Sequence, residues 1–332
     1  MPSRLVCQFG YHICYIPSMI FGRASRASKV GDLLSLTKPG IVASNTLTAL
    51  GGLALSPWVS GLPLPGLGRQ VLCLCVGTAS LVAGSCTINN WFDRDIDALM
   101  ARTEKRATAS GRIGAGATLT WGAILIGLGI GSLSCDGPIP ALLGILGALV
   151  YILPYTLWVK RRSGASSLVG GIAGALPPLI GWAVMDPSLG GPALLLFAFL
   201  VAWQQAHVRA LAIRRQLDFD HAAIPMPGMD RGSSGAMTSG RTGRRALLAW
   251  ILVLLPLPFL VAKALPQGQQ LAFALPEAGL ILLWWALGFT SSRPTVSMKA
   301  EAWGSLMFFL SLFDLVFFFA GLLLAKLAGL GP

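Results

Sequence analysis

Residues 70–97 read QVLCLCVGTASLVAGSCTINNWFDRDID, an apolar run that ends in acidic and amide side chains. As a helix, the run from 70 to 90 is long enough to cross roughly 30 Å of hydrocarbon. Asn89, Asp93 and Asp97 follow at intervals of four residues, so on a helix they share one face. Carboxylates this close repel each other unless a cation lies between them, and such oxygen ligands suit Mg²⁺ carrying a substrate phosphate. The stretch predicts a membrane span with an Mg²⁺ site at its end; the simpler alternative is a solvated acidic loop.

Basic residues follow the acidic ones at once, in Arg102-Thr103-Glu104-Lys105-Arg106 and at Arg112. Guanidinium groups offer paired donors that match phosphate oxygens, and a lysine ammonium offers a mobile point charge. The two motifs together predict a diphosphate held between a metal ion and a basic clamp. The same cations also fit a marker of the cytoplasmic side of the membrane, and the two interpretations are compatible.

The composition is that of a membrane protein, with 54% hydrophobic and only 11% charged residues. We predict an all-α polytopic fold of about nine transmembrane helices, at residues 40–59, 70–90, 114–134, 138–158, 167–185, 191–212, 246–264, 271–290 and 303–325. The eighth span holds Pro276 and Glu277, so it is expected to start late or to be broken. Asp314 lies inside the ninth span, where a structural hydrogen bond is the favoured role.

The basic residues sort by side once the spans are numbered. Of the 25 Lys and Arg residues, 22 fall in the tail, loops and span ends on the side of the acidic motif. This bias predicts that the motif faces the cytoplasm, or the matrix of a mitochondrion. Because these cations are spread over short loops, they argue against nucleic acid as a partner. We divide the chain into a basic N-terminal tail, residues 1–37, and a membrane domain, residues 38–328.

A second polar stretch, from Trp203 to His221, closes the sixth span. His207, Arg214 and Asp218 lie on one helical stripe. Asp218 is a candidate ligand for a second Mg²⁺, and Arg214 is placed to reach a phosphate or a propionate. The alternative is a helix end with solvated charges.

The motifs taken together resemble the UbiA superfamily of intramembrane prenyltransferases, whose first motif, Asn-x-x-x-Asp-x-x-x-Asp, is met by Asn89, Asp93 and Asp97. Residues 89–103 are most similar to the haem-farnesylating branch, as are Leu36-Thr37-Lys38-Pro39 and the Gly-rich stretch 170–182. The chain departs from that branch at Ala107, Ala206 and Phe219, among others.

The resemblance implies nine helices around a central cavity and Mg²⁺-dependent transfer of a farnesyl group. The donor would be farnesyl diphosphate, the acceptor a vinyl group of haem b, and the products haem O and diphosphate. It implies that Asn89, Asp93 and Asp97 hold Mg²⁺ while cations neutralise the leaving group, namely Arg102, Lys105, Arg106, Lys38 and Lys160. Arg112 is a further candidate for substrate binding. His207 is a candidate haem contact or axial ligand, although a lone histidine near a helix end more often serves as a hydrogen-bonding residue.

Two other functions remain open at this point. A related enzyme could prenylate an aromatic or quinone-precursor acceptor with the same first motif, and a membrane transporter is a more distant alternative. The expected setting is the lipid bilayer of a bacterial plasma membrane, with the mitochondrial inner membrane as the alternative, and a downstream haem A synthase is a candidate partner.

Overall fold

A computed structural model of the chain describes residues 29–56, 64–226, 230–231, 237–238, 241–265, 267–292 and 299–328. Within these ranges the chain is almost entirely helical. The helices are α1 Lys29–Leu36, α2 Pro39–Leu55, α3 Leu64–Phe92, α4 Arg94–Asp97, α5 Ala115–Ser134, α6 Pro138–Val150, α7 Ser166–Ala183, α8 Gly191–Arg214, α9 Gln216–His221, α10 Arg241–Leu254, α11 Leu257–Ala262, α12 Gln269–Ser291 and α13 Ala300–Ala328. Helix α6 continues directly as a π-helix over Tyr151–Val159, and two short strands, Asp230–Arg231 and Met237–Thr238, pair antiparallel.

Eight helical segments in the described part of the chain are long and apolar enough to cross a membrane. A further apolar helix, α2, has 17 residues and corresponds to the first predicted span, whose last residues lie outside the described ranges. The expected all-α, polytopic fold is therefore confirmed, and the chain is a multi-pass membrane protein.

The span that is interrupted is the seventh, whereas the eighth was expected to start late or to be broken. Helix α10 ends at Leu254 and α11 begins at Leu257, and between them stands Pro256, which has no N–H to continue the helical ladder. Helix α12 runs without interruption from Gln269 to Ser291 and contains Pro276. Neighbouring helices let membrane spans tolerate proline, so Pro276 alone does not end this one.

Asp314 corrects a second expectation, because neither of its carboxyl oxygens has a hydrogen-bond partner among the described residues. Helices α12 and α13 run antiparallel: Phe273 meets Phe318 with ring centroids 5.7 Å apart, and Trp303 donates to the Gly288 carbonyl. Glu277 lies four residues after Phe273, and Asp314 four residues before Phe318, so the two carboxyls face each other. Both side chains are fully buried, and the oxygens of Glu277 also lack a partner in these ranges.

Close backbone approach holds α2 against α7. A Cβ added at Gly52 would lie 2.0 Å from the Pro178 carbonyl oxygen, and one at Gly181 would lie 1.8 Å from that of Ala49. Small residues allow such contacts between membrane helices, which associate largely through packing. These two contacts fix α2, and with it the position of Lys38 at its start.

The last helix contacts the end of the first span. The ammonium of Lys326 in α13 donates to the backbone oxygens of Ala54 and Ser56, at 2.8 and 2.6 Å. It thereby supplies partners for carbonyls that the end of α2 leaves open. This contact joins the first and the last apolar helix of the described residues.

The end of the predicted tail is part of the folded structure. Residues 1–28 lie outside the described ranges, but Lys29–Leu36 forms α1. Leu36 packs with Ala107 and Ile113, which belong to the segment that follows the basic motif. Helix α1 therefore supports the loop between α4 and α5.

Candidate functional site

The helical spacing of the acidic motif is kept although the motif extends from the end of α3 into α4. Helix α3 ends at Phe92, and Asp93 occupies the turn before α4. The backbone N–H of Asp93 still donates to the Asn89 carbonyl at 2.9 Å, and that of Asp97 to the Asp93 carbonyl at 2.7 Å. Asn89, Asp93 and Asp97 are all buried, with at most 2% of each exposed.

The amide of Asn89 is held in one orientation by three neighbours. Its Nδ2 donates to Asp93 Oδ2 at 2.8 Å and to Thr156 Oγ1 at 3.0 Å, and its Oδ1 accepts from Lys38 Nζ at 2.6 Å. The Thr156 hydroxyl donates to the Tyr151 carbonyl at 2.7 Å, so toward Asn89 it acts only as an acceptor. Both amide hydrogens are therefore used, and one lone pair of Asn89 Oδ1 remains open.

Cations from three separate segments converge on the motif. Lys38 caps α2 in a left-handed conformation with φ of 54°, and Lys160 follows the π-helix. Lys160 is ion-paired with Asp93, while Arg106 bonds Asp97 at 2.7 Å. The structure thus brings Lys38, Lys160 and Arg106 together around Asn89, Asp93 and Asp97.

Burial and charge act on these lysines in opposite ways. Burial first, and then Lys160 and Arg106, lower the pKa of Lys38. Burial alone would also lower the pKa of Lys160, but Tyr155 and the Asp93 carboxylate outweigh it, and the net pKa is raised. The motif carboxylates thus keep Lys160 charged, while Lys38 is crowded by like charge. An arriving anion would relieve that crowding.

The oxygen atoms suit a divalent cation whose remaining ligands come from elsewhere. Asp93 Oδ1 is buried and has no hydrogen-bond partner among the described residues. In the same part of the chain no three His, Cys, Asp or Glu side chains form a metal-binding group. Two carboxylates and an amide oxygen therefore match Mg²⁺, which usually takes one or two carboxylates together with phosphate and water. They do not match an ion that needs a complete protein cage.

Two other cations of the predicted clamp, Arg102 and Lys105, are exposed. Part of the Arg102 side chain is nevertheless buried. This partial burial lowers the pKa of Arg102, and the charges of Arg106 and Arg215 lower it further. The carboxylate of Asp218 raises it. Arg102 therefore lies between the two predicted motifs. Lys105 is exposed, and its backbone carbonyl accepts from Arg112 at 3.1 Å.

Arg112 does not join the cluster around the acidic motif. Its guanidinium pairs with Asp32 of α1, at 2.9 Å from Nη2 to Oδ1 and 3.1 Å from Nε to Oδ2. This bidentate contact ties α1 to the loop after α4. The guanidinium is thus already engaged by a carboxylate, and a role of Arg112 in substrate binding stays a prediction.

The second polar stretch lies against the first. Helix α9 carries Asp218 in its first turn, and a small apolar cluster joins Ile96 and Met100 of the first motif to Ala222 and Ile224 after α9. Asp218 is partly exposed, and its charge is close enough to Arg102 to act on the pKa of that guanidinium. The structure therefore brings the two acid-bearing loops together, with Asp218 outside the buried network of Asn89.

His207 and Arg214 lie along the contact between α8 and α13. His207 Nδ1 is 2.7 Å from Ser311 Oγ, and its ring stacks on Trp203 with centroids 4.6 Å apart. The Arg214 guanidinium lies 4.9 Å above the ring of Phe308. His207 is two helical turns before Arg214, so it lies inside the membrane span, away from the polar rim.

Several contributors were not identified from the sequence. Thr156 stands one turn before Lys160, a spacing that could have indicated it, and Asn90 is next to Asn89 and accepts from Arg106 at 3.3 Å. Arg161 pairs with Asp95 at 2.6 Å. A cavity of about 330 Å³ beside this pair is lined by Phe92, Arg94, Asp95, Thr156, Leu157 and Arg161.

Comparison with known proteins gives a consistent result. A model of the UbiA prenyltransferase family matches residues 45–313. A Bacillus subtilis (strain 168) protein named protoheme IX farnesyltransferase 2 is 36% identical over 310 residues, covering 93% of this chain and 96% of the relative. A Bacillus cereus (strain G9842) protein named protoheme IX farnesyltransferase is 37% identical over 297 residues, covering 89% of this chain and 92% of the relative.

Solved structures share the fold at low sequence identity. One, described as digeranylgeranylglyceryl phosphate synthase, is similar with a TM-score of 0.66 and 14% identity, over 90% of this chain and 99% of the other. Another is a UbiA homolog from Archaeoglobus fulgidus bound to GPP and Mg²⁺, with a TM-score of 0.62 and 12% identity, over 88% of this chain and 99% of the other. These likenesses establish the architecture.

Proposed function

The chain belongs to the UbiA prenyltransferase family, and from this we propose that it transfers a farnesyl group from farnesyl diphosphate to a vinyl group of protoheme IX. The products are haem O and diphosphate. The choice of substrates is supported by relatives that carry the name protoheme IX farnesyltransferase and align along nearly their whole length. No contact in the described structure favours an aromatic or quinone-precursor acceptor.

One observation carries the chemical part of the proposal: Asp93 Oδ1 is buried and has no partner among the described residues. Each side chain of the motif also contacts a cation, namely Lys38 at Asn89, Lys160 at Asp93 and Arg106 at Asp97. Asn89, Asp93 and Asp97 would hold the metal ion, and Asp218 is a candidate for a second. When bound, Mg²⁺ supplies neutralisation of charge on the departing diphosphate. A UbiA homolog solved with GPP and Mg²⁺ supports this choice of ion.

The cations of the chain bind and orient the diphosphate. Lys160 and Arg106 are paired with Asp93 and Asp97, so they are already held at the site and need only turn toward phosphate oxygens. Arg102 and Lys105 are exposed and available to the outer phosphate. Fixed donors aimed at a leaving oxyanion lower the barrier to its departure.

The bond between the first farnesyl carbon and oxygen breaks, and its electron pair leaves with the diphosphate. The vinyl π electrons of protoheme then form the new carbon–carbon bond, and water adds to the resulting cation with loss of one proton. Because water would also consume the allylic cation, this chemistry requires a closed site. The burial of Asn89, Asp93 and Thr156 supports a site of this kind.

The same proposal includes the setting. The excess of basic residues on the side of the acidic motif supports a cytoplasmic location for that motif. The Bacillus relatives favour a bacterial plasma membrane over a mitochondrial inner membrane. A haem A synthase is the expected consumer of the product. The division into a tail, 1–37, and a membrane domain, 38–328, belongs to the proposal as well.

Asp93→Asn tests this function against Asp95→Asn, a matched change two residues away. Asp95 is 59% exposed and pairs with Arg161, outside the Asn89 network. Membranes that lack haem O would be supplied with protoheme, farnesyl diphosphate and Mg²⁺, and haem O would be measured by mass. We expect Asp93→Asn to lose on the order of 100-fold or more in rate and Asp95→Asn to keep most of it. Equal rates in the two variants would exclude the metal site, and no haem O from the unmodified chain would exclude the function.

A further inference from the structure

A serine on α13 controls the hydrogen bonding of His207. Ser311 is fully buried, and its hydroxyl lies 2.6 Å from the Phe308 carbonyl oxygen and 2.7 Å from His207 Nδ1. The indole N–H of Trp203 donates to the Ser311 carbonyl at 2.9 Å. Ser311 is thus fixed from two sides before it meets the imidazole.

The direction of these bonds follows from counting hydrogens. A hydroxyl has one hydrogen, and an O···O distance of 2.6 Å to a carbonyl requires that hydrogen to lie between the two oxygens. The hydroxyl oxygen can then only accept from His207, so Nδ1 carries the ring hydrogen. In the neutral imidazole this leaves Nε2 with a free lone pair.

The ring is also held in position by aromatic contacts. It stacks on Trp203 at an interplanar angle of 14° and lies 4.7 Å from the ring of Phe308. The side chain nevertheless stays partly exposed. The imidazole therefore has a fixed plane and a fixed tautomer in a residue that is not fully buried.

The depth of the ring separates it from the diphosphate site. Helices α8 and α13 cross closely where Gly304 packs on the backbone of Arg214, and a Cβ at Gly304 would lie 2.5 Å from the Arg214 nitrogen. His207 and Ser311 are each seven residues deeper than that contact, or roughly 10 Å along the helices. A neutral, oriented nitrogen base at this depth suits an apolar substrate that carries a metal.

We propose that Ser311 is a positioning residue that holds His207 as the Nδ1–H tautomer and presents Nε2 to the iron of the protoheme acceptor. This rests on the proposed function, since it takes an iron porphyrin as the acceptor. A hydrogen bond to the far nitrogen orients a ligating histidine and raises its basicity, and loss of such a partner typically weakens metal binding 10–100-fold.

The test is an optical titration of the purified full-length protein with ferric protoheme, which needs no turnover. We expect Ser311→Ala to weaken protoheme binding on the order of 10-fold or more and to shift the Soret band toward that of His207→Ala. Ser311→Thr, which keeps the hydroxyl, should restore both. Ser311→Cys, whose sulfur is a weaker acceptor, should fall between them, and thermal unfolding would show which variants fold.

The outcomes separate this inference from the function on which it rests. If Ser311→Ala and Ser311→Cys bind protoheme with the affinity and spectrum of the unmodified chain, the positioning role of Ser311 is wrong. If His207→Ala also has the unmodified spectrum while haem O is still formed, ligation by His207 is wrong and the function stands. If the unmodified chain neither binds protoheme nor forms haem O, both are wrong.

Discussion

Replacing Thr156 by valine should disturb the metal site without changing any charge. The hydroxyl accepts one hydrogen of the Asn89 amide and is itself held by the Tyr151 carbonyl. Valine has nearly the same shape, so the Asn89 donor would be left buried and unpaired, at about 1–3 kcal/mol. Asn89 can avoid this only by turning its amide, which would move Oδ1 away from Lys38. Whether the donor stays unpaired or the amide turns, the Mg²⁺ concentration that gives half the maximal rate should rise. At about 1.4 kcal/mol per factor of ten, 1–3 kcal/mol corresponds to a rise of roughly 5- to 150-fold.

The assay is formation of haem O at fixed farnesyl diphosphate over a range of Mg²⁺ concentrations. Thr156→Ser should behave as the unmodified chain, because it keeps the hydroxyl. Thr290→Val is the matched control, since Thr290 is exposed and, in the described structure, its hydroxyl donates to carbonyls of its own helix. An unchanged Mg²⁺ dependence in Thr156→Val would refute the view that this hydrogen bond orients Asn89.

Three further results are expected. Arg106→Ala removes the partner of a buried Asp97 and should reduce turnover far more than Arg112→Ala, whose main effect should be a lower unfolding temperature through the contact with Asp32; comparable rates in the two variants would contradict this division. Burial raises the pKa of Asp136, in the loop after α5, to about 6, and Arg69 opposes this shift. The free energy of unfolding should therefore be higher below pH 4 and should fall as the pH rises through 6, by on the order of 1–3 kcal/mol. Thermal unfolding measured across this pH range should show a smaller change for Asp136→Asn. Glu277→Gln and Asp314→Asn should each leave the unfolding temperature unchanged or raise it, because they remove a buried carboxyl without a donor in the described structure, and a marked drop would show that the carboxyls are engaged.

The part of the structure that follows from local sequence was largely predictable. Long apolar runs specify the spans, and the spacing of Asn89, Asp93 and Asp97 places them together because four-residue backbone bonds continue through the break after Phe92. The break in the seventh span was missed, although Pro256 supplies its cause. In the eighth span Pro276 was given too much weight, because packing by neighbouring helices was not visible.

Contacts between distant segments could not be read from spacing. Arg112 and Asp32 are 80 residues apart in the sequence, so the ion pair between α1 and this loop could not be predicted from spacing. That Glu277 faces Asp314 depends on the register of α12 and α13, which no single segment specifies. Lys38 and Lys160 were placed at the site only by resemblance to a family, and their catalytic roles, like those of Arg102 and Lys105, stay predictions.

The bond from Lys326 to the end of α2 has a consequence for how the protein is made. Among the described helices, α2 is the first apolar one to leave the ribosome, and α13 is the last. The carbonyls of Ala54 and Ser56 therefore lack the Lys326 ammonium as a partner until synthesis is nearly finished. A chain cut short before Lys326 would show its defect at the opposite end of the sequence, in the helix that carries Lys38.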